Sequence, residues 1–504
     1  MLPIIIIPIT AAGYKMNNQR RYFLKALASS TLVTATLMGC QSAPLLNVFE
    51  APISADDWQM AEQIKANIVV PTFPAKQFNI KDFGAKENGQ HDCTQAIKNA
   101  IEACHAQGGG QVYIPNGTYL TGAIHLLSNV NLHLADKAIL SFSTDPNHYL
   151  PEVFTRWEGL EMMGYSPLIY AYEQENIAIT GKGTLQGNGD NQTWWPWKGP
   201  HKEGHWDLIK DSQGKVLHQR EARDQLMVDA EAGVPVSERI YSTGAYLRPP
   251  FIQPYKCKNI LIQGVTIKNS PFWLVNPVLC QSVTVDNVNF SSHGPNSDGC
   301  DPESCDHVHI KNCVFDTGDD CIAIKSGRNA DGRRVGVASQ NIVIENCHMK
   351  EGHGGVVIGS EISGGVNNVF VQNCTMDSPH LERAIRIKTN SVRGGLIEHI
   401  RIRNIEVGTV KNAVVINFFY EEGDAGQFDP TVRDIQIENL HCKNVLSKAF
   451  YLNGFARAPM NDIHFIDCHF VQVGDDSIVA NVNNMSLTNV TLNKQPLTMA
   501  QLQK

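Results

Sequence analysis

The chain has 504 residues, of which 42% are hydrophobic and 18% charged, a composition that excludes a disordered or membrane-spanning protein. Its formal charge of -8 argues against non-specific binding of nucleic acid or any other polyanion, so no nucleic-acid partner is expected. An acidic ligand would have to be held by cations that are local and placed.

The first segment reads as an address. From Met16 the chain runs MNNQRRYFLKALASSTLVTATLMGCQSAP, and Arg20-Arg21 before Tyr22-Phe23-Leu24-Lys25 has the form of a twin-arginine export signal. Ala26 to Met38 is a short apolar stretch, too short to span a bilayer. Leu37-Met38-Gly39-Cys40 then has the form of a bacterial lipobox, which predicts cleavage before Cys40 and a lipid on its thiol. Residues 1–40 are therefore expected to export the protein to the periplasm or outer membrane of a Gram-negative bacterium. The charged part of that signal begins at Met16, downstream of the apolar residues 1–15. Residues 41–75, with Pro44, Pro52, Pro71 and Pro74, read as a tether to a folded body over 76–504.

The body opens with Thr94 to Cys104, whose apolar residues have helical spacing and which ends at Gly108-Gly109-Gly110. Such a helix would cap the open end of a solenoid. The solenoid itself is written in a repeat. Asn259-Ile260-Leu261-Ile262-Gln263-Gly264-Val265 recurs as Ser282 to Val288, His307 to Cys313 and Asn341 to Cys347, with further copies at Asn368, His399, Asp434, Asp462 and Asn484. A repeat of about 22–35 residues signals a stacked architecture. Within each copy the apolar residues alternate, so each is a strand that turns at a polar residue. Short strands repeated in one order stack in parallel, about 4.8 Å per coil. The fold class is thus all-β, a right-handed parallel β-helix with an N-terminal capping helix. Asn287, Asn312, Asn346, Asn373, Asn404 and Asn439 share one phase of the repeat and read as a turn ladder.

Residues 198–247 break the rhythm and read as a loop insertion on one coil. The 13 cysteines show no zinc-like pairs. Cys313, Cys347 and Cys374 fall at one phase and are expected to pack in the core, and Cys300 with Cys305 is the candidate for a local disulfide.

Consecutive coils carry unusual residues just after their repeat cores. They are Asn296-Ser297-Asp298-Gly299, then Gly318-Asp319-Asp320, then Gly352-His353-Gly354, then Arg386-Ile387-Lys388. Stacking would bring Asp298, Asp319 and Asp320 within reach of one bound sugar. Hydrolysing a glycosidic bond needs an acid for the leaving oxygen and a base for water. Crowded carboxylates raise one another's pKa and so separate those roles. The neighbouring glycines would let a sugar approach the backbone. Arg386 and Lys388, two apart on a strand, share a face and offer cations to an acidic sugar. The residue types leave a rival open, a calcium site from Asp298, Asp301, Asp319 and Asp320 of the kind that serves a lyase. A non-catalytic adhesion solenoid would give no reason for these groups to fall on successive coils.

In these four motifs the chain resembles glycoside hydrolase family 28, the polygalacturonases, whose pattern is Asn-Thr-Asp, Gly-Asp-Asp, Gly-His-Gly and Arg-Ile-Lys. Ser297 in place of Thr is the one departure, and it keeps the hydroxyl. The resemblance implies inverting hydrolysis of galacturonan, with no metal or cofactor. It implies Asp319 as general acid, Asp298 and Asp320 on the water, and His353 tuning the acid. It places Arg386, Lys388, Asn296 and Tyr420 on the substrate. The Arg-Ile-Lys motif favours galacturonan over rhamnogalacturonan. The expected partner is a pectic polysaccharide or oligogalacturonide, bound by a monomer. The insertion at 198–247 leans the expected action toward chain ends, because it would close one end of a cleft.

Overall fold

The computed structural model describes residues 55–201 and 204–502. The export signal, the lipobox and Cys40 lie outside the described residues. Strands such as Lys258–Gln263, Gln281–Asp286, Asp306–Lys311 and Ser339–Glu345 pair in parallel, each with the next copy of the repeat. Their register stacks Ile260, Val283, Val308 and Ile342 in one buried column and Ile262, Val285, Ile310 and Ile344 in another. The alternating pattern is therefore a core ladder, as a period of two demands. A second face follows in Thr266–Lys268, Asn289–Ser292, Val314–Thr317 and His348–Met349. A third runs through Ile322–Ile324, Val356–Gly359, Arg383–Lys388, Asn412–Asn417 and Phe450–Asn453, again in parallel. The right-handed parallel β-helix is the architecture observed.

The turns explain the asparagines. Asn287, Asn312, Asn346, Asn373, Asn404 and Asn439 all sit at φ between 50° and 56°, a left-handed conformation that Asn tolerates better than other side chains. Their amides also bond along the stack, Asn404 Nδ2 donating to Asn373 Oδ1 at 3.1 Å and Asn439 Nδ2 to Asn404 Oδ1 at 2.9 Å. The first residue of each repeat is left-handed too, including Asn259, Asn341, Asn368, Asp434 and Asp462. Each core strand is thus bracketed by two bends.

The capping helix forms over Thr94–Ala106 and buries Ile97, Ala100, Ile101 and Cys104 against the first coils. The expected tether is corrected in part, because Ala55–Asn67 is a helix that lies on the solenoid. Ala61 and Ile64 pack on Val343 and Phe370, while Asp57 accepts from Arg401 Nε at 2.7 Å and Lys65 pairs with Glu345 at 3.2 Å. Pro52 and Pro71 flank this segment and do not interrupt it. All twelve described cysteines are free and buried, so Cys300 and Cys305 form no disulfide and the packing role holds.

The insertion is not a loop. It contains the helix Arg220–Glu231 and the short strand Ile240–Tyr241, which pairs with Leu160–Gly164. That partner belongs to a hairpin, Val153–Trp157 with Leu160–Gly164, which the repeat analysis did not anticipate. Hairpin, helix and coil share a satellite core of Trp157, Met162, Leu226, Phe272 and Trp273. The insertion is thereby fixed to the face of the solenoid that carries the unusual residues.

Candidate active site

Stacking places the three aspartates together. Gly299 N–H donates to Asp320 O at 3.0 Å and Cys321 N–H to Gly354 O at 2.8 Å, so the two aspartate coils and the Gly-His-Gly coil are adjacent. One carboxylate oxygen from each of Asp298, Asp319 and Asp320 lies within 4.8 Å of the other two. The Ser297 hydroxyl locks the bend, donating to Ser292 O and Gly294 O at 2.7 Å, and it accepts from Gly318 N–H at 3.2 Å. A hydroxyl at this position therefore bridges two coils, which is why Ser serves where the family pattern has Thr. The glycines also serve the packing of the coils. A Cβ on Gly318 would sit 2.7 Å from the His293 carbonyl carbon, and one on Gly352 2.6 Å from Asp319 O. They are small so that coils can pack, and Gly318 also borders the open space above the cluster.

Each carboxylate has its own partners. His353 Nδ1 donates to Asp319 Oδ1 at 2.9 Å, and the Asp320 N–H donates to the same oxygen at 3.0 Å. Asp320, fully buried, accepts from Lys388 Nζ at 2.6 Å and Arg386 Nη1 at 3.3 Å. Asp298 accepts from Lys325 Nζ at 3.3 Å. Arg386 and Lys388 do share one face, with Ile385 and Ile387 turned into the core. They flank the Tyr420 ring at 5.4 and 5.2 Å from its centre. Asn296, at φ 56°, accepts through Oδ1 from Lys198 Nζ and Arg248 Nη2, both at 2.8 Å.

These contacts separate the protons. Burial, reinforced by the neighbouring Asp319 carboxylate, pushes Asp298 up to about 8. Burial works the same way on Asp319, but the His353 imidazolium, Lys388 and Arg386 outweigh it and hold that carboxyl well below the usual range. The Asp319 charge in turn raises His353 to about 9. Near neutral pH this places the protons on Asp298 and His353 and the negative charge on Asp319. A dication at the three carboxylates would meet Lys325, His353, Arg386 and Lys388 already in place, a donor set neutralised by the protein itself. That charge balance disfavours the calcium reading.

A cleft of about 620 Å³ runs over this cluster. Asn296, Asp298, Asp319, His353, Arg386, Lys388 and Tyr420 all line it, and Asp320 lies beneath, bonded to two of them. The structure adds residues that sequence reasoning missed. Lys325 faces Asp298 and Glu361 (3.4 Å) and stands 4.5 Å from the centre of the Trp273 ring. Its signal was present in Cys321-Ile322-Ala323-Ile324-Lys325, where alternation after the Asp-Asp pair puts Lys325 outside the core. From the insertion side come Lys198, Arg223 and Trp206, and from the hairpin tip comes Glu158, which accepts from Arg223 Nε at 2.8 Å and Arg328 Nη1 at 3.1 Å. Nothing in the sequence alone placed the hairpin there. Eight Lys and Arg side chains line the cleft, the local cationic lining that an acidic ligand would need in a protein of net charge -8.

Comparison with known proteins agrees with this geometry. The family described as glycosyl hydrolases family 28 matches residues 241–495, and a rhamnogalacturonase A/epimerase, pectate lyase-like model matches residues 77–133. A hyperthermoactive exopolygalacturonase from Thermotoga maritima superposes with a TM-score of 0.79 at 41% identity, over 87% of this chain and 96% of that one. A family 28 exopolygalacturonase from Yersinia enterocolitica shares the fold, with a TM-score of 0.65 at 22% identity over 83% of this chain and 76% of that one. A probable polygalacturonase from Vitis vinifera is 28% identical over 405 residues, 77% of this chain and 73% of its own. With four motifs in order on adjacent coils and a family match across half its length, the chain belongs to glycosyl hydrolase family 28.

Proposed function

We propose that this glycoside hydrolase cleaves α-1,4-linked galacturonic acid bonds of polygalacturonate, acting from a chain end by an inverting acid–base reaction without a metal. The observation that carries the reading is the aspartate cluster set in a cation-lined cleft that the insertion borders on one side. The likeness to the Thermotoga maritima exopolygalacturonase supports both the substrate and the end-acting mode. Inversion rests on family membership. The carboxylate oxygens approach within 4.8 Å, closer than the roughly 6.5–9.5 Å of the usual inverting pair.

Asp320, ion-paired with Arg386 and Lys388, takes the proton of the attacking water, which Asp298, itself protonated, helps to hold. Asp319 protonates the leaving oxygen, and the proton it delivers is held on His353 before substrate binds, one hydrogen bond of 2.9 Å away. A bound galacturonate brings negative charge, which raises Asp319 and draws that proton across. Arg386, Lys388, Asn296 and Tyr420 contact the sugar. A second assignment, with Asp298 as the acid, is favoured by its rise to about 8. An aryl galacturonide with a good leaving group decides between them, since it needs no acid. The variant of the true acid, Asp319→Asn or Asp298→Asn, keeps most of its activity on that compound and loses it on oligogalacturonide.

The reaction class is tested by incubating the protein with polygalacturonate and a chelator, following absorbance and product mass. Saturated products support hydrolysis; unsaturated, ultraviolet-absorbing products, or loss of activity to the chelator, sink it. We also propose export by the twin-arginine signal, lipid attachment at Cys40 and a monomeric state. Radiolabelled palmitate on wild type but not on Cys40→Ser tests the attachment.

A further inference from the structure

Of the eight Lys and Arg side chains lining the cleft, seven are paired with carboxylates. Arg386 and Lys388 hold Asp320, Lys325 holds Asp298 and Glu361, Arg223 and Arg328 hold Glu158, and the other two hold Glu382. Among the described residues Lys198 has no carboxylate partner. Its Nζ donates only to Asn296 Oδ1, at 2.8 Å. That same oxygen accepts from Arg248 Nη2, and Arg248 too bonds no carboxylate, only Gln219, Asn296 and the carbonyls of Pro271 and Pro295. Burial, with Arg248 nearby, pulls the Lys198 ammonium below its ordinary value, against the longer-range attraction of Glu158 and Asp319.

Position gives these two cations a meaning. Lys198 ends the turn Trp195–Lys198, where the insertion leaves the coil, and Arg248 stands where it returns. Arg386 and Lys388 lie on the far side of the cluster, two coils beyond Asp320, through the register Ile322, Val356, Ile385. The three aspartates therefore stand between a pair of cations bonded to Asp320 and a pair bonded to Asn296. A polygalacturonate chain crossing the cluster puts one sugar beside Arg386 and Lys388 and the next beside Lys198, against the insertion.

We propose that Lys198 is a specificity-determining residue that binds the carboxylate of the galacturonate on the insertion side of the scissile bond, with Asn296 and Arg248 positioning its ammonium. This rests on the polygalacturonate reading above and adds the group that tells a free uronate from its methyl ester or a neutral sugar on that side. A charge-assisted hydrogen bond to a partly buried ammonium is strong, and a neutral ester cannot accept it as an anion does.

The experiment compares wild type, Lys198→Gln and Lys198→Arg on trigalacturonate and on fully methyl-esterified trigalacturonate, with kcat and KM determined separately. Lys198→Gln is expected to raise KM for the acid at least about 10-fold, with the loss concentrated in KM. Its preference for acid over ester should fall by the same factor, and Lys198→Arg should restore most of both. An unchanged KM, or an equal loss on acid and ester, would overturn the proposal, the second result showing a structural role. Should wild type leave trigalacturonate uncut, the polygalacturonate reading fails by itself. Calorimetric binding of galacturonate then decides the anion site, which requires weaker binding by Lys198→Gln than by wild type.

Discussion

The regular coils and the insertion contribute different things to one cleft. The coils supply the groups proposed to react. Asp298, Asp319–Asp320, His353 and Arg386–Lys388 come from neighbouring turns of one repeat, and their separation is set by strand stacking. The insertion and the hairpin that holds it supply Lys198, Arg223, Trp206 and Glu158 at one side of the same space. The coils are stabilised by ladders continuous along the body, whereas the insertion depends on a small satellite core.

The sharpest way to break this division is to change a coil residue alone. Asp319→Asn should lower turnover by at least about 100-fold while circular dichroism and the pattern of products stay those of wild type. Near-normal turnover would remove Asp319 from the reaction, and an altered product pattern would mean that the two regions are not separable.

The second test loosens the insertion alone. Leu226 is fully buried in the satellite core, and Leu226→Ala should cost that core about 2–3 kcal/mol. Hydrogen exchange should rise over residues 220–231 and remain slow in the strands. Longer products should appear among the sugars released. Global unfolding at a lower temperature, with no local opening, would show the insertion to be part of the main cooperative unit.

The smallest effect expected is on stability. Asp298 is raised to about 8 in the fold, above the roughly 3.9 of an exposed aspartate. Between those values the native state holds a proton that the unfolded chain releases, so stability falls as pH rises through that window. Asp298→Asn removes the penalty. It should gain on the order of 1–2 kcal/mol near pH 7, after the lost Lys325 contact is discounted, and the gain should vanish as pH falls toward about 4. Denaturant unfolding at several pH values measures it. A gain that does not vary with pH would assign the effect to something other than titration.

The same two regions differ in how far they can be read from sequence. The repeat was legible because each copy states its own geometry, with alternating Ile and Val for the core and an Asn where the backbone turns left-handed. From that spacing the convergence of Asp298, Asp319 and Asp320 followed. What the spacing did not reveal was who pairs with whom. Arg386 and Lys388 bind Asp320 as well as facing the cleft, and Lys325 sits under Asp298. Residues 153–164 and 198–247 carry no repeat, and the hairpin and helix they form are held by contacts with distant coils, such as Trp157 stacked on Phe272 and Arg239 on Asp331. Long-range pairs of that kind leave no local period. The helix Ala55–Asn67 was hidden by its flanking prolines, which made a packed segment look like a tether.

The proposed function places hydrolysis of polygalacturonate on the coils and its restriction to chain ends on the insertion. The most direct measurement is the size distribution of products during the first few per cent of digestion of long polygalacturonate. Saturated monogalacturonate accumulating alone, while the viscosity of the solution barely changes, is the predicted result. An early ladder of oligomers with a rapid fall in viscosity would contradict it, because it would mean that the cleft is open at both ends.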